Sequence, residues 1–405
     1  MTNDPYRWVV LAGCWSLYFV FGLSVAGLAP LVSTIQADLG LSASAMGTVL
    51  GAWQFVYIFA AIPVGLALQR FGAGRLLLAA GLLIAASGFW RASADSYGAL
   101  LAAVALFGLG GPIVSAGVPH MVSMWFEGKE RGLAMGLYIT GPAIAGIIAY
   151  ASSQGVLMPM FDGDWRSVLR VWAWAALAIT AVWFLIYLRS VRAESGAGNS
   201  QSGGGFEYGL ILRLLRSRNV ALLLATGIGV LCIDHGLRNW IPEILRTAGW
   251  SAEQAGYLAV ISVVFGVAGA LAFPRLAVPK RRLSILRGLF ACAAAGCLLL
   301  STGAASAMIA GLVLTGLASG AMMTITILSL IEQRGIGAER AGLAGGMFFA
   351  FAEIGGVGGP VMIGVAKDAT GVFPPALWLL AGLCVLLIGL TLMVRTQEQA
   401  ASASA

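Results

Sequence analysis

The sequence predicts an all-α membrane protein of twelve transmembrane helices in two pseudo-symmetric six-helix bundles. Three observations predict it. The 405-residue chain is 59% apolar and only 10% charged, with a mean hydropathy of +0.90, whereas a soluble domain carries about 25% charged residues. Twelve apolar runs are each long enough to cross about 30 Å of hydrocarbon, which takes about 20 helical residues. A polar motif also recurs near half the chain length. Glu130-Arg131-Gly132-Leu133-Ala134 is echoed by Glu339-Arg340-Ala341-Gly342-Leu343-Ala344, and Leu39-Gly40-Leu41-Ser42-Ala43 by Ala248-Gly249-Trp250-Ser251-Ala252. Two echoes at one offset imply a duplicated half.

The expected spans are 8–32, 44–68, 74–91, 98–124, 131–152, 167–188, 218–241, 254–274, 284–303, 307–331, 340–364 and 374–394. The first follows the short polar stretch Met1 to Arg7 and is itself long enough to span, so no cleaved leader is expected. The second and third flank the polar loop at Gln69 to Gly74. The fourth and fifth flank the segment Trp125 to Glu130. The sixth ends before residues 190–216, whose Ser195-Gly196-Ala197-Gly198-Asn199-Ser200-Gln201-Ser202-Gly203-Gly204-Gly205 is a flexible linker composition. Spans seven to twelve repeat the arrangement. The expected organisation is therefore an N-terminal half 1–189, a cytoplasmic linker 190–216 and a C-terminal half 217–405. Helices are the expected spanning form because unpaired backbone groups in lipid cost several kcal/mol each. The strand alternation of a membrane barrel is missing. The 55 glycines fit close helix–helix approach in a bilayer.

Charge sets the expected orientation. With the N-terminus inside, eighteen of the 24 Lys and Arg residues fall on the cytoplasmic side. The other side holds Arg91, Arg166, Arg170, Arg238, Arg246 and Lys367. This bias places both termini inside a plasma or inner membrane. The net charge of +7 is mostly this bias, so it does not argue for nucleic acid as a partner. Cys14, Cys232, Cys292, Cys297 and Cys384 all lie in apolar runs without metal-ligand spacing, which reads as free thiols. No Walker loop or HExxH motif is present, which argues against an enzyme or a nucleotide-driven pump within this chain.

Gly65-Leu66-Ala67-Leu68-Gln69-Arg70-Phe71-Gly72-Ala73-Gly74-Arg75, joining the second and third spans, resembles the Gly-x-x-x-Asp-Arg-x-Gly-x-x-Arg loop of the major facilitator superfamily. Gln69 stands in the Asp position and Gly74 in one of the basic positions. The resemblance covers nearly the whole chain. It implies the major facilitator fold and alternating access about a central site. It also marks Gly65, Arg70, Gly72, Arg75, Glu130, Arg131, Glu339 and Arg340 as conformational-loop residues. Three further segments resemble the monocarboxylate and oxalate–formate branch and cyanate- and nitrate-type carriers. These are Arg7-Trp8-Val9-Val10-Leu11, Gly40-Leu41-Ser42 and Trp125-Phe126 with Arg131-Gly132-Leu133-Ala134-Met135-Gly136. In the monocarboxylate branch a substrate-binding Arg lies in the eighth helix, and here Ile261 to Phe273 contains none.

The seventh span groups three ionisable residues in Asp234-His235-Gly236-Leu237-Arg238. Ionisable groups at membrane depth are costly and usually functional. Asp234 and Arg238 are i,i+4 and share a helix face. One reading gives proton coupling to Asp234 or His235 and an anion contact to Arg238. The other makes Arg238 an interfacial anchor that neutralises Asp234. Glu353 in the eleventh span is a further proton candidate, or a buried carboxyl with a structural partner. It adjoins Gly355-Gly356-Val357-Gly358-Gly359-Pro360, which corresponds under the repeat to Gly141-Pro142 in the fifth span. Such paired interruptions mark the substrate site or close helix contacts. Tyr18, Trp53, Gln54, Tyr57, Tyr138 and Thr140 are candidate cavity residues, the alternative being ordinary packing. His120 and Met124, at i,i+4, are weak candidates for a soft metal such as Cu(I).

The expected function is secondary active transport: proton-coupled movement of a small organic anion, monocarboxylate-like, by a monomer in the bilayer that needs no cofactor. Proton-driven efflux of drugs or other amphiphiles is the alternative, with copper or other metal uptake behind it.

Overall fold

The computed structural model describes residues 4–194, 213–333, 336 and 341–394. It is helical throughout, with no strand among the described residues. Twelve helices are long and apolar enough to cross a membrane: Arg7–Leu39, Ala43–Phe71, Ala73–Ala92, Tyr97–Trp125, Gly128–Met160, Trp165–Arg189, Arg218–Thr247, Ala252–Leu276, Arg282–Leu300, Ala305–Ile331, Ala344–Thr370 and Pro374–Leu392. They are called the first to twelfth spans below. All twelve expected spans are present.

The seventh and eleventh spans run on to Thr247 and Thr370, and two others run further still past their apolar runs. The first was expected to stop near residue 32. It continues through a 3-10 turn at Ala29–Leu31 into a helix Val32–Leu39, and ends at Gly40 in the left-handed conformation (φ 62°). Pro30 sits at the start of that turn, where its missing N–H costs nothing. The fifth was expected to stop near 152. It passes through a π turn at Ser153–Leu157 and reaches Met160. Both extensions are held by polar side chains. Gln154 donates its amide to the Pro30 carbonyl at 2.6 Å. Asp38 accepts from Arg166 at 2.6 Å and from the Trp165 indole at 3.2 Å.

The packing divides the chain into two units, Met1–Gln201 with Arg238–Val260 and Ser202–Leu237 with Ile261–Ala405. In the first unit the second span packs along the fourth, the fourth along the third, and the third along the sixth. The first span lies along the fifth and sixth. The second and fourth spans begin at serines whose hydroxyls cap the helix: Ser42 accepts from the Ala45 amide at 3.1 Å and Ser96 from the Ala99 amide at 3.4 Å. Gly22 lies so close to Pro142 that a side chain there has no room, which sets the tight approach of the first and fifth spans.

In the second unit the ninth span packs along the tenth and twelfth. Gly355 and Gly359 of the eleventh span face the Ile228 and Cys232 carbonyls of the seventh in the same glycine-dependent way. The two units thus repeat one pairing, first with fifth and seventh with eleventh. The fifth-span and eleventh-span interruptions are accordingly close helix contacts, one of the two meanings open to them in the sequence. Without a hydrophobic driving force between helices in lipid, such backbone-to-backbone packing holds a bundle together.

Candidate functional site

In the first unit an aromatic and polar cluster joins four spans. Tyr18 of the first span stacks beside Phe21 (ring centroids 5.7 Å) and meets Tyr138 of the fifth at 5.5 Å. Phe21 meets Trp53 of the second span edge-on at 6.0 Å and Phe107 of the fourth at 5.2 Å. Trp53 in turn meets Tyr57 at 6.2 Å. Polar atoms are threaded through the rings. The Trp15 indole donates to the Thr140 hydroxyl at 3.0 Å, and the Tyr57 and Ser115 hydroxyls share a hydrogen bond of 2.9 Å. Gln54 is fully buried beside them in sequence (0% exposed). The structure therefore brings Tyr18, Trp53, Tyr57 and Tyr138 into one connected set, with Thr140 at its edge.

The sequence reading missed Trp15, Phe21, Phe107 and Ser115. Trp15 and Phe21 each lie three residues from Tyr18, a same-face spacing that was available as a signal. Phe107 and Ser115 had no such signal.

The second unit carries the carboxyl candidates. Glu353 is 4% exposed, and its Oε2 has no hydrogen-bond partner. Asp234, half-buried on the seventh span, is close enough to act on it electrostatically. The glycine contacts of Gly355 and Gly359 clamp this part of the eleventh span on the seventh. His235 is half-buried next to Asp234. Arg238 continues the same helix, with an exposed side chain and a carbonyl that accepts the Tyr150 hydroxyl at 2.7 Å.

The loop residues occupy helix ends. Arg7 pairs with Glu130 at 2.9 Å and lies over the Phe126 ring at 5.7 Å. Arg131 donates to the Phe126 and Ser123 carbonyls at 2.8 and 3.0 Å, closing the end of the fourth span. Arg75 donates to the Tyr187 hydroxyl at 3.0 Å. Arg70 lies over the Phe71 ring at 5.3 Å. Gly72 stops the second span at φ 80°, and Gly65 has open space on its side-chain face. Glu339 and Arg340 lie outside the described residues, as does most of the linker 190–216. In the second unit Arg282 pairs with Glu332 and donates to the Ala277 carbonyl at 3.0 Å.

His120 and Met124 are half-buried on the fourth span, and the His120 carbonyl accepts the Ser123 hydroxyl at 2.7 Å. Among the described residues no three His, Cys, Asp or Glu side chains lie together as a metal site would need.

Helices of this number and length with paired half-chains point to a transporter fold, and the family comparison decides it. The family model for the Major Facilitator Superfamily matches residues 14–360. The chain belongs to that superfamily. It is a multi-pass membrane transporter, and the relatives named next are described as transporters as well. It is 27% identical to the probable galactarate/D-glucarate transporter GudP of Bacillus subtilis, covering 92% of this chain and 88% of that protein. It is 26% identical to a quinolone resistance transporter of Acinetobacter baumannii, covering 93% and 90%. It is 25% identical to a putative tartrate transporter of Agrobacterium vitis, covering 93% and 91%. The crystal structure of the nucleoside transporter NupG superposes with a TM-score of 0.76 at 12% identity, covering 96% of this chain and 99% of that one. That likeness concerns the superfamily fold alone.

Proposed function

We propose that this superfamily member is a secondary active transporter that moves a small hydroxylated carboxylate together with protons. The observation that carries the coupling is Glu353: a buried carboxyl with one oxygen unpartnered, on the eleventh span where glycines clamp it against the seventh, which carries Asp234. A buried acid that is neutral in one conformation and ionised in another is a proton carrier. His235 is the second titratable group beside it. The relatives named for galactarate/glucarate and tartrate support a carboxylate substrate. The aromatic cluster around Tyr18, Trp53, Tyr57 and Tyr138, with the hydroxyls of Thr140 and Ser115, suits a small hydroxylated molecule: rings give it walls and hydroxyls pair with its own. Arg238 is the proposed carboxylate partner, since its planar guanidinium binds carboxylates bidentately.

The rest of the proposal follows the superfamily's architecture. The halves 1–189 and 217–405, joined by 190–216, alternate access to a site near the midplane. The protein acts as a monomer in the plasma membrane, with both termini cytoplasmic.

Proton-driven efflux of aromatic drugs is the second reading, favoured by the quinolone resistance relative and by the aromatic cluster. A thermal-shift screen separates the two. Hydroxylated mono- and dicarboxylates should raise the apparent stability of the purified protein saturably, because a ligand of the folded state stabilises it by mass action. A shift with quinolones or other aromatic amphiphiles and none with carboxylates would establish the efflux reading instead.

A further inference from the structure

Arg91 was expected to be one of the few positive charges at the outer surface. The structure buries it: the side chain is 3% exposed, near the end of the third span, inside the first unit. One terminal nitrogen, Nη1, donates to the Ser24 carbonyl of the first span at 2.7 Å, and the guanidinium lies over the Phe107 ring at 5.1 Å. Those contacts leave Nε and Nη2 with no protein acceptor. A third donor is in the same position. The indole Nε1 of Trp172, on the sixth span, is buried and lacks an acceptor. Arg91 and Trp172 line one small cavity, together with Ser24, Gly27, Gly88 and Leu169. The first-span wall is kept thin there: a methyl at Gly27 would come within 3.4 Å of the Trp172 ring.

No carboxylate lines the cavity, and among the described residues Arg91 makes no ion pair. A guanidinium does not give up its proton. A buried charge needs a counter-charge, and buried donors need acceptors. The ring face and a single carbonyl supply only part of that. The cavity is too small for an organic acid. From this geometry we infer a site for a monatomic anion, of the halide class, inside the N-terminal half. The Arg91 Nε and Nη2 groups and the Trp172 indole N–H are its donors. The site lies among the first, third and sixth spans, and the Phe107 ring under Arg91 is shared with the aromatic cluster. Bound there, the anion ties three helices of the half together, and its effect is on stability rather than on the transported molecule.

The experiment uses the purified full-length protein and chloride, bromide or methanesulfonate at one ionic strength. Chloride and bromide should raise the melting temperature saturably, on the order of 2 °C above the methanesulfonate baseline. Trp172→Phe removes one donor at nearly constant ring volume and should raise the apparent Kd for chloride at least fivefold. Arg91→Gln should abolish the halide effect, and Trp172→Phe keeps the test decisive if that variant does not fold. Equal melting of the wild type in all three salts would mean that a water serves these donors, and the inference fails. It fails equally if Trp172→Phe keeps the full halide shift at unchanged Kd.

Discussion

Replacing Glu353 by Gln tests the coupling assignment with the least collateral change. The substitution preserves size and one acceptor oxygen and removes the titratable proton. Glu353 is 4% exposed, so a charge at this position is costly and a neutral amide is not. The seventh–eleventh contact rests on Gly355 and Gly359 and should survive the exchange. A pH gradient of one unit is worth about 1.4 kcal/mol per proton. An electroneutral cycle with one proton per monoanion therefore accumulates substrate about tenfold at equilibrium. In proteoliposomes with the outside one pH unit more acid, the wild type should approach that ratio. Glu353→Gln should settle at a ratio of about one while exchanging labelled for unlabelled substrate at near wild-type rate, since exchange needs no net proton movement. Tenfold accumulation by Glu353→Gln would refute the assignment. Loss of exchange as well would show that the residue binds substrate instead.

The remaining predictions test packing, latch and orientation. Gly22→Val and Gly355→Val each drive a side chain into a neighbouring helix and should cost about 1–3 kcal/mol or more in thermal unfolding, whereas Gly358→Ala, with open space around its side-chain position, should be close to neutral. A double-mutant cycle on Arg7 and Glu130, whose side chains are 16% and 48% exposed, should give a coupling of about 0.2–1 kcal/mol that shrinks with added salt. Trp15→Phe removes the N–H that holds Thr140 and should cost about 0.5–1.5 kcal/mol; if the cluster binds substrate, its apparent KM rises as well. In a background free of the five cysteines, Met160→Cys should react with an impermeant thiol reagent on intact cells and Ser200→Cys should not; the opposite labelling would invert the proposed orientation.

Much of the architecture is written in the sequence because hydrocarbon length and hydropathy constrain helices so tightly. The expectation of two halves rests on the recurrence in sequence of Glu130-Arg131 as Glu339-Arg340. The extensions to Leu39 and Met160 were not legible. Ser33, Thr34, Gln36 and Asp38 look like loop residues until their partners are known, and the partners of Asp38 and Gln154 are Arg166, Trp165 and Pro30, far away in the chain. Arg91 shows the same limit: counted with the outer positive charges, it turns inward on the Ser24 carbonyl and the Phe107 ring. The candidate site was half visible. Tyr18, Trp53, Tyr57 and Tyr138 stood out as aromatics among polar neighbours. Phe107, the ring that joins two of the spans, looked like any apolar residue. Glu353 was visible as a rare intramembrane acid, but its relation to Asp234 depends on Gly355 and Gly359 bringing two helices together.

Substrate-driven proton flux measures directly whether carboxylate and proton move together. Proteoliposomes carrying a pH-sensitive dye inside, with no imposed pH gradient, receive an outward-to-inward gradient of a hydroxylated carboxylate that has raised the melting temperature. The interior should acidify as substrate enters, at a rate that saturates in substrate and vanishes in Glu353→Gln. Substrate entry without any change of internal pH would contradict that coupling.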